Sequence, residues 1–426
     1  MKTTLKLTAM LLTIWFWTLQ GLSGATISDN PATIEQYKDF YTIKGFVKDN
    51  STNRILEYAN ISLKGTNIGT ITNTDGYFSL KIKKGTNGAA IEVSHLGYGT
   101  KSIPVGQDTG NELQIALDPL PGLLDPVTIM AIDAKEIVLM AISRIESNYS
   151  NQPQLMTGFY RETIRKRRSY INVSEAVVDI YKRAYNESYH RDLLAVQKGR
   201  KLISIKPQDT LMVKFLGGPN LALYMDVVKN PDLMLSQENL TKYKFSITEI
   251  VMIEQKPHYV INFTPQVILP YALHYGKLFI DKETFALSRA QINVDMEDRN
   301  KVTHAILKKK PLSMRFKPES ISFLVTYKQR EGKTHLNYIR NEIQFKCDWK
   351  RRLFSTNYAI VAETVITGGT TVNAERIQNK LAFRDSQSLS DKVQDFYDNS
   401  FWENYNIIEP EESLENAVSR LMKQHR

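Results

Sequence analysis

The chain has 426 residues, of which 42% are apolar and 23% charged, with a formal net charge of +10 and a single cysteine. At about 150 residues per domain, that length predicts two to three domains, each able to bury a core. The composition excludes a disordered or low-complexity chain, and one cysteine excludes an internal disulfide.

The first residues carry a secretory pattern. Lys2 and Lys6 precede an apolar run from Leu7 to Leu19, and Ser23 and Ala25 stand at the −3 and −1 positions of a cleavage site. The expectation is a signal peptide over 1–25 and an exported protein, periplasmic or associated with the outer membrane. The run is short for a span, which needs about 20 residues, and no later segment is apolar enough for a membrane-crossing helix. Basic residues cluster in "RETIRKRRSY", "ILKKKPLSMRFK" and "WKRR". In an exported chain such a surface points to anionic lipid, glycan or an acidic protein partner rather than to nucleic acid.

From Ile43 to Asp118, short runs of period-2 alternation are bounded by Gly, Asn and Asp, as in "YTIKGFVKD", "YANISLKG", "YFSLKI" and "LQIALDP". Seven such strands predict a small β-sandwich over 43–118. Within it, Asp75-Gly76 reads as a tight hairpin turn, after which Phe78, Leu80 and Ile82 share one face. On "GFVKDNSTNRILEYANISLKGTNIGTITNTDGYFSLKI" and "VSHLGYGTKSIPV", this segment resembles the carboxypeptidase regulatory-like domain, a transthyretin-like sandwich. The resemblance implies an exported, Bacteroidetes-type envelope context, in which such domains also precede outer-membrane receptors. It supplies no catalytic residue.

"PLPGLLDPV" opens a linker over 119–132. A helix follows, with Asp133 as its cap, Glu136 completing a capping box, and Val138, Ala141, Ile142, Ile145 and Tyr149 on one face. Strand signals then dominate to Phe383: "LMTGFYRETI", "SYINVSEAVVDIYK", "YKFSITEIVMI", "HYVINFTP", "YGKLFIDKETFALSRAQINV", "SISFLVTYK" and "THLNYIRNEIQFKCDW". Residues 133–383 are therefore expected to form a helix packed on one large antiparallel sheet, for which a half-barrel is one solution. The hairpin "GKLFIDKETFALSRAQINV" is similar to the repeat of lipoprotein-carrier-like half-barrels. "GFYRE", "EAVVDIYK" and "FWENYNIIEPEESLENAVSRL" resemble an uncharacterised group of envelope proteins with no established activity. The tail, 384–426, ends in a helix with Pro410 at its first position and Leu414, Ala417, Val418 and Leu421 facing the sheet. The fold class is thus mainly β, α+β overall.

Motifs for chemistry are wanting. The seven histidines, His95, His190, His258, His274, His304, His335 and His425, form no H-E-x-x-H and no short-spaced pair. A calcium loop on "ITNTDG" would need a carboxylate where Ile82 stands. A phosphate loop ending in "EGKTH", at Glu331, would need glycine where Tyr327 stands. Cys347 alternates with Phe345 and Trp349 and reads as core. Glu162 and Glu175 are the carboxylates of interest, and Arg161 or Arg165 could pair with either; the pairing reads as structural rather than as an acid/base pair. The expectation is a non-enzymatic binding or assembly module with no catalytic, metal or cofactor site. Its ligand would be apolar or a glycan in a concave sheet groove, or else a protein partner. The competing readings are a hydrolase with a site assembled from distant residues such as His274, and an accessory to a TonB-dependent receptor.

Overall fold

A computed structural model describes residues 40–86, 90–105, 112–120, 133–187, 190–209, 214–215, 218–350, 354–370, 374–385, 387–395 and 401–425. The expected signal peptide and most of the expected linker lie outside these residues.

Seven strands build the N-terminal sandwich: β1 (Phe40–Asp49), β2 (Asn60–Leu63), β3 (Gly69–Ile71), β4 (Tyr77–Lys83), β5 (Ala90–Ser94), β6 (Lys101–Pro104) and β7 (Leu113–Leu117). They form one sheet in the order β4-β1-β7 and a second in the order β3-β2-β5-β6. The alternating apolar residues, among them Ile43, Val47, Ile61, Leu63, Phe78, Leu80, Ile82, Ile91, Val93 and Ile115, meet in a single core between the sheets. Two details differ from expectation. β1 and β7 pair in parallel, because the first and last strands of the sandwich lie side by side. The Asp75-Gly76 turn does not close a hairpin, since β3 and β4 belong to opposite sheets. It turns a corner of the sandwich. Gly76 adopts φ 73° there, a left-handed conformation that glycine takes without steric cost.

After Asp133 come α1 (Ala134–Ser143) and α2 (Ile145–Asn148), then β8 (Gln154–Lys166), β9 (Ser169–Lys182), β10 (Leu193–Ile203), β11 (Lys214–Phe215), α3 (Pro219–Tyr224), α4 (Gln237–Leu240), β12 (Tyr243–Ile253), β13 (Lys256–Pro265), β14 (His274–Asp281), β15 (Leu287–Val294), α5 (Arg299–Ile306), β16 (Leu307–Lys309), β17 (Met314–Arg330), β18 (Lys333–Trp349), β19 (Thr356–Thr370), β20 (Gln394–Asp395) and α6 (Glu412–His425). Eleven strands form one open sheet in the order β12-β13-β14-β15-β17-β18-β19-β8-β9-β10-β20. All its neighbours are antiparallel except β10 and β20. β10 and β19 are strands that the sequence reading passed over. Asp133 caps α1 by accepting from Lys135 N at 2.9 Å. The helix breaks at Arg144 rather than running through to Tyr149.

One face of the sheet carries the main core. Ile137 and Val138 of α1, together with Ala222, Leu223, Val227, Val228, Met234, Leu235 and Leu240 from the 219–240 segment, pack on Tyr160, Ala176, Val178, Ile180, Leu278, Ala290, Val325 and Ile339. The chain therefore fills this face itself. The cavity left beside α1, among Val138, Tyr149, Leu278 and Ile280, measures about 10 Å³, no more than the roughly 10–15 Å³ that a single water needs. The expected concave apolar groove is occupied by the protein's own segments. The opposite face is covered by the sandwich and by the C-terminal segment, where Ile71, Phe159, Val177, Tyr338, Val365, Trp402, Ile407 and Ile408 form a second apolar cluster. α6 docks on β9, with Leu414 and Ala417 against Tyr170 and Val173.

Candidate functional site

Directly opposed cross-strand neighbours share a face of the sheet. Register sets Arg200 opposite Glu175, Glu175 opposite Arg161, Arg161 opposite Glu363 and Glu363 opposite Arg340. The result is a row of alternating charge across β10, β9, β8, β19 and β18. Glu175 accepts from Arg161 at 2.7 Å and from Arg200 at 2.7 Å, and Glu363 accepts from Arg340 at 2.9 Å and from the Tyr338 hydroxyl at 2.6 Å. Arg161 and Glu175 are each 3% exposed, so the charges survive only because each is matched. Burial acts to raise the Glu175 pKa, but the Arg161 and Arg200 guanidiniums outweigh it and hold the carboxyl below its ordinary range.

Three parts of the chain cover the row. Arg161 Nη2 donates to the Ile408 carbonyl at 2.6 Å. The rings of Trp402 and Phe401 lie over Arg200. From the sandwich, Tyr58 stacks on Tyr338 and lies against Arg340. The sandwich corner also holds the C-terminal segment directly. Thr70 donates to the Ile407 carbonyl, Asn73 to the Pro410 carbonyl and Thr74 to Glu411. Asp75 accepts from Glu412 N at 2.7 Å, at the first residue of α6. Pro410 thus lies outside the helix it was expected to open, and Asp75 caps that helix across 337 residues of sequence.

Glu162 points to the other face of the sheet from Glu175, because it pairs with Ser174. Burial pushes its carboxyl up, partly offset by the Tyr160 hydroxyl at 2.9 Å. Arg165 lies against the Tyr170 ring and joins neither carboxylate in an ion pair among the described residues. His274, held neutral by burial at a pKa of about 4, sits on β14, with four strands between it and β8. At about 4.8 Å per strand that is roughly 24 Å away, so Glu162, Glu175 and His274 do not converge. Cys347 is buried, and its thiol is pushed up to about 12 by burial.

Sequence reasoning missed four arrangements. Arg200, Glu363 and Arg340 of the charge row gave no local signal. Neither did the buried pin on the filled face, where Asp226 accepts from Lys182 at 2.6 Å and from the hydroxyls of Tyr327 at 2.7 Å and Tyr185 at 3.0 Å. Burial acts to lower the Lys182 pKa, but Asp192 and Asp226 outweigh it and keep the ammonium charged. This pin ties the 219–240 segment to the sheet. The third is a histidine–serine pair. His258 Nδ1 lies 2.8 Å from the Lys256 carbonyl and Nε2 lies 2.7 Å from Ser288 Oγ, the donor–acceptor order of a base and a hydroxyl nucleophile. The cavity beside Ser288 measures only about 60 Å³ and is walled by Tyr58 and His95 of the sandwich. The fourth is an open cavity of about 640 Å³ at the β10 edge, lined by Gln197, Lys198, Lys380, Arg384, Gln387, Lys392 and Phe401, with no carboxylate among the described residues of its lining. Among the described residues, no cluster of three or more His, Cys, Asp or Glu could hold a metal ion.

Fold and site together define a β-sandwich clamped onto an open antiparallel sheet by a buried row of charge. Residues 43–129 match the family model of the CarboxypepD_reg-like domain. The TonB-dependent receptor SusC of Bacteroides thetaiotaomicron is 34% identical over 98 residues, which are 23% of this chain and 9% of the receptor. The chain thus spans less than a tenth of that relative. Among solved structures, a DUF1329 family protein from Desulfovibrio piger aligns with 57% of this chain and 95% of its own at 11% identity and a TM-score of 0.22. A LolA superfamily protein from Nitrosomonas europaea aligns with 60% of this chain and 100% of its own at 12% identity and a TM-score of 0.19. Scores that low say nothing further about this chain.

Proposed function

We propose that the protein is a non-enzymatic binding and assembly module of a bacterial envelope, and that it takes an anionic glycan in the cavity beside β10. The lining of that cavity carries the reading. Its volume, about 640 Å³, lies within the roughly 300–1,000 Å³ of small-ligand sites. Lys380, Arg384 and Lys392 supply positive charge, whereas Lys198 is paired with Glu403. Gln197 donates to Asp179 and Gln387 accepts from Arg384 N, which leaves their remaining amide atoms for hydroxyls. The Phe401 ring, against which Lys198 and Arg200 lie, borders the cavity. An apolar ligand is disfavoured, because the apolar face of the sheet is filled from within. The envelope location is supported by the secretory pattern of residues 1–25, by the regulatory-like sandwich and by its likeness to part of SusC. The absence of catalysis is supported by the Ser288–His258 pair opening on a cavity too small for an acyl substrate.

Titration calorimetry with an oligogalacturonate and with a neutral maltooligosaccharide tests the proposal. Binding of the acidic sugar alone, abolished by Lys380→Glu with Arg384→Glu, is expected. Equal binding of both sugars, or of neither, overturns it. The likeness of the sandwich to part of SusC also favours a role as a receptor accessory, which co-purification from detergent-solubilised envelopes would reveal.

A further inference from the structure

At one end of the large sheet, beside β17, β18 and β19, two apolar side chains are exposed. Leu312 is 95% exposed and Phe354 is 75% exposed. They belong to neighbouring connections. Met314 pairs with Trp349, Cys347 pairs with Thr356, and Lys350 N donates to the Ser313 carbonyl at 3.1 Å. Exposed cations surround them: Lys310 and Lys350 on these connections, Arg315 at the start of β17, and Arg167 and Arg168 in the adjoining β8–β9 turn. Of the carboxylates close by, Asp348 is matched by Lys317, Glu319 by Lys346 and Asp209 by Lys166, while Asp295, Glu297 and Asp298 lie further back on the β15–β17 connection, where Asp298 caps α5. Among the described residues, the end therefore presents two exposed apolar side chains on separate connections, surrounded by more cations than carboxylates.

We propose that this end of the sheet docks on an anionic phospholipid bilayer, with Leu312 and Phe354 entering the acyl boundary while the cations meet headgroup phosphates. A protein partner would need a contiguous packed patch with a core depleted of charge. A bilayer accepts isolated apolar wedges and rewards the cations around them. The surface is distinct from the β10-edge cavity, so either can fail without the other.

The test places an environment-sensitive fluorophore at Phe354→Cys in the full chain; the native Cys347 is 1% exposed and does not compete for label. A second labelled protein, Lys84→Cys on the sandwich, serves as the reference. With vesicles of phosphatidylglycerol and phosphatidylethanolamine, the label at 354 shifts to the blue and is quenched by brominated lipid, while the label at 84 is not. Phosphatidylcholine vesicles give neither effect. Arg167→Glu with Arg168→Glu weakens partitioning by at least about twenty-five-fold, at roughly five-fold for each cation lost near the surface, and added salt weakens it further. A label at 354 that stays in water on anionic vesicles overturns the proposal, as does an equal response to phosphatidylcholine. A shift produced only by envelope protein also overturns it and assigns Leu312 and Phe354 to a protein contact.

Discussion

Replacing Glu175 by Gln should be among the most damaging single changes in the sheet. The carboxylate is 3% exposed and carries two contacts of 2.7 Å, to Arg161 and to Arg200. A hydrogen bond to a charged group contributes about 1.5–3 kcal/mol, and breaking a buried pair by removing one partner costs about 3–5 kcal/mol. Glu175→Gln leaves two guanidiniums sharing one neutral carbonyl, so a loss of about 4 kcal/mol is expected, a large part of a typical stability of about 5–15 kcal/mol. Urea unfolding followed by circular dichroism measures it. Glu363→Gln is the internal comparison and should cost about half as much, because Arg340 and Glu363 are 20% and 11% exposed. Replacing the triad together, Arg161→Met, Glu175→Leu and Arg200→Met, should cost less than Glu175→Gln alone, since no buried charge is then left unmatched. The pH dependence has a definite sign. A carboxyl held below its ordinary value contributes stability that is full above that value and fades as the pH falls through the lowered one. The parent's advantage over Glu175→Gln should therefore shrink below pH 4.5. A Glu175→Gln protein within 0.5 kcal/mol of the parent at pH 7, a tenth or less of the stability expected, would refute the reading of a matched, desolvated row.

Three further outcomes follow from single contacts. Gly76→Val should cost about 3 kcal/mol from left-handed backbone strain and overpacking, because a Cβ there would lie 2.5 Å from Ile55 Cγ2 and 2.9 Å from the Val47 carbonyl; an unchanged melting curve would remove that role. Asp75→Ala removes the only carboxylate accepting from Glu412 N among the described residues. It should destabilise α6 by about 1 kcal/mol, read as faster amide exchange over 412–418 with the sandwich core unaffected. Glu162→Gln should raise the melting temperature at pH 7. Burial raises the Glu162 pKa, so the fold favours the protonated form and loses stability as the pH rises past 4.5; a gain seen only below that pH would contradict the assignment.

The strands of the sandwich and the apolar faces of α1 and α6 were legible because each rests on local periodicity. Val138, Leu414 and Leu421 are buried where their spacing placed them, whereas Tyr149 is buried although it lies beyond the helix break. The charge row shows why the rest was not. The residues on either side of the Arg167-Arg168 turn suggest a simple antiparallel register from the Lys166–Ser169 pair. Continued without interruption, that register would set Arg161 opposite Ser174. A bulge between Ile164 and Arg165 shifts it by one residue and brings Arg161 opposite Glu175. One inserted residue thus decides which charges meet, and nothing in the local alternation announces it. Glu363 and Arg340 are further removed, since their places depend on β19 lying beside β8, a pairing between segments some 200 residues apart. The 640 Å³ cavity was illegible for a similar reason: its cations are Lys198 of β10 and, far along the chain, Lys380, Arg384 and Lys392, which no pattern joins.

The same row explains why the sandwich is built into the body of this protein. Five charged side chains in alternating order have no net reason to leave water, because desolvating them costs about what their mutual attraction returns. The row becomes stabilising only when other groups satisfy its remaining donors and exclude solvent. Here the cover is divided among Tyr58 of the sandwich, Phe401 and Trp402 of the C-terminal segment, and the Ile408 carbonyl. That segment is in turn positioned by Thr70, Asn73, Thr74 and Asp75 of the sandwich corner. Removing either cover exposes part of the row and frees the other, so sandwich, C-terminal segment and sheet should unfold together. A turn whose Asp and Gly satisfy the needs of a corner therefore does more than reverse the chain: its polar side chains hold the segment that closes the sheet.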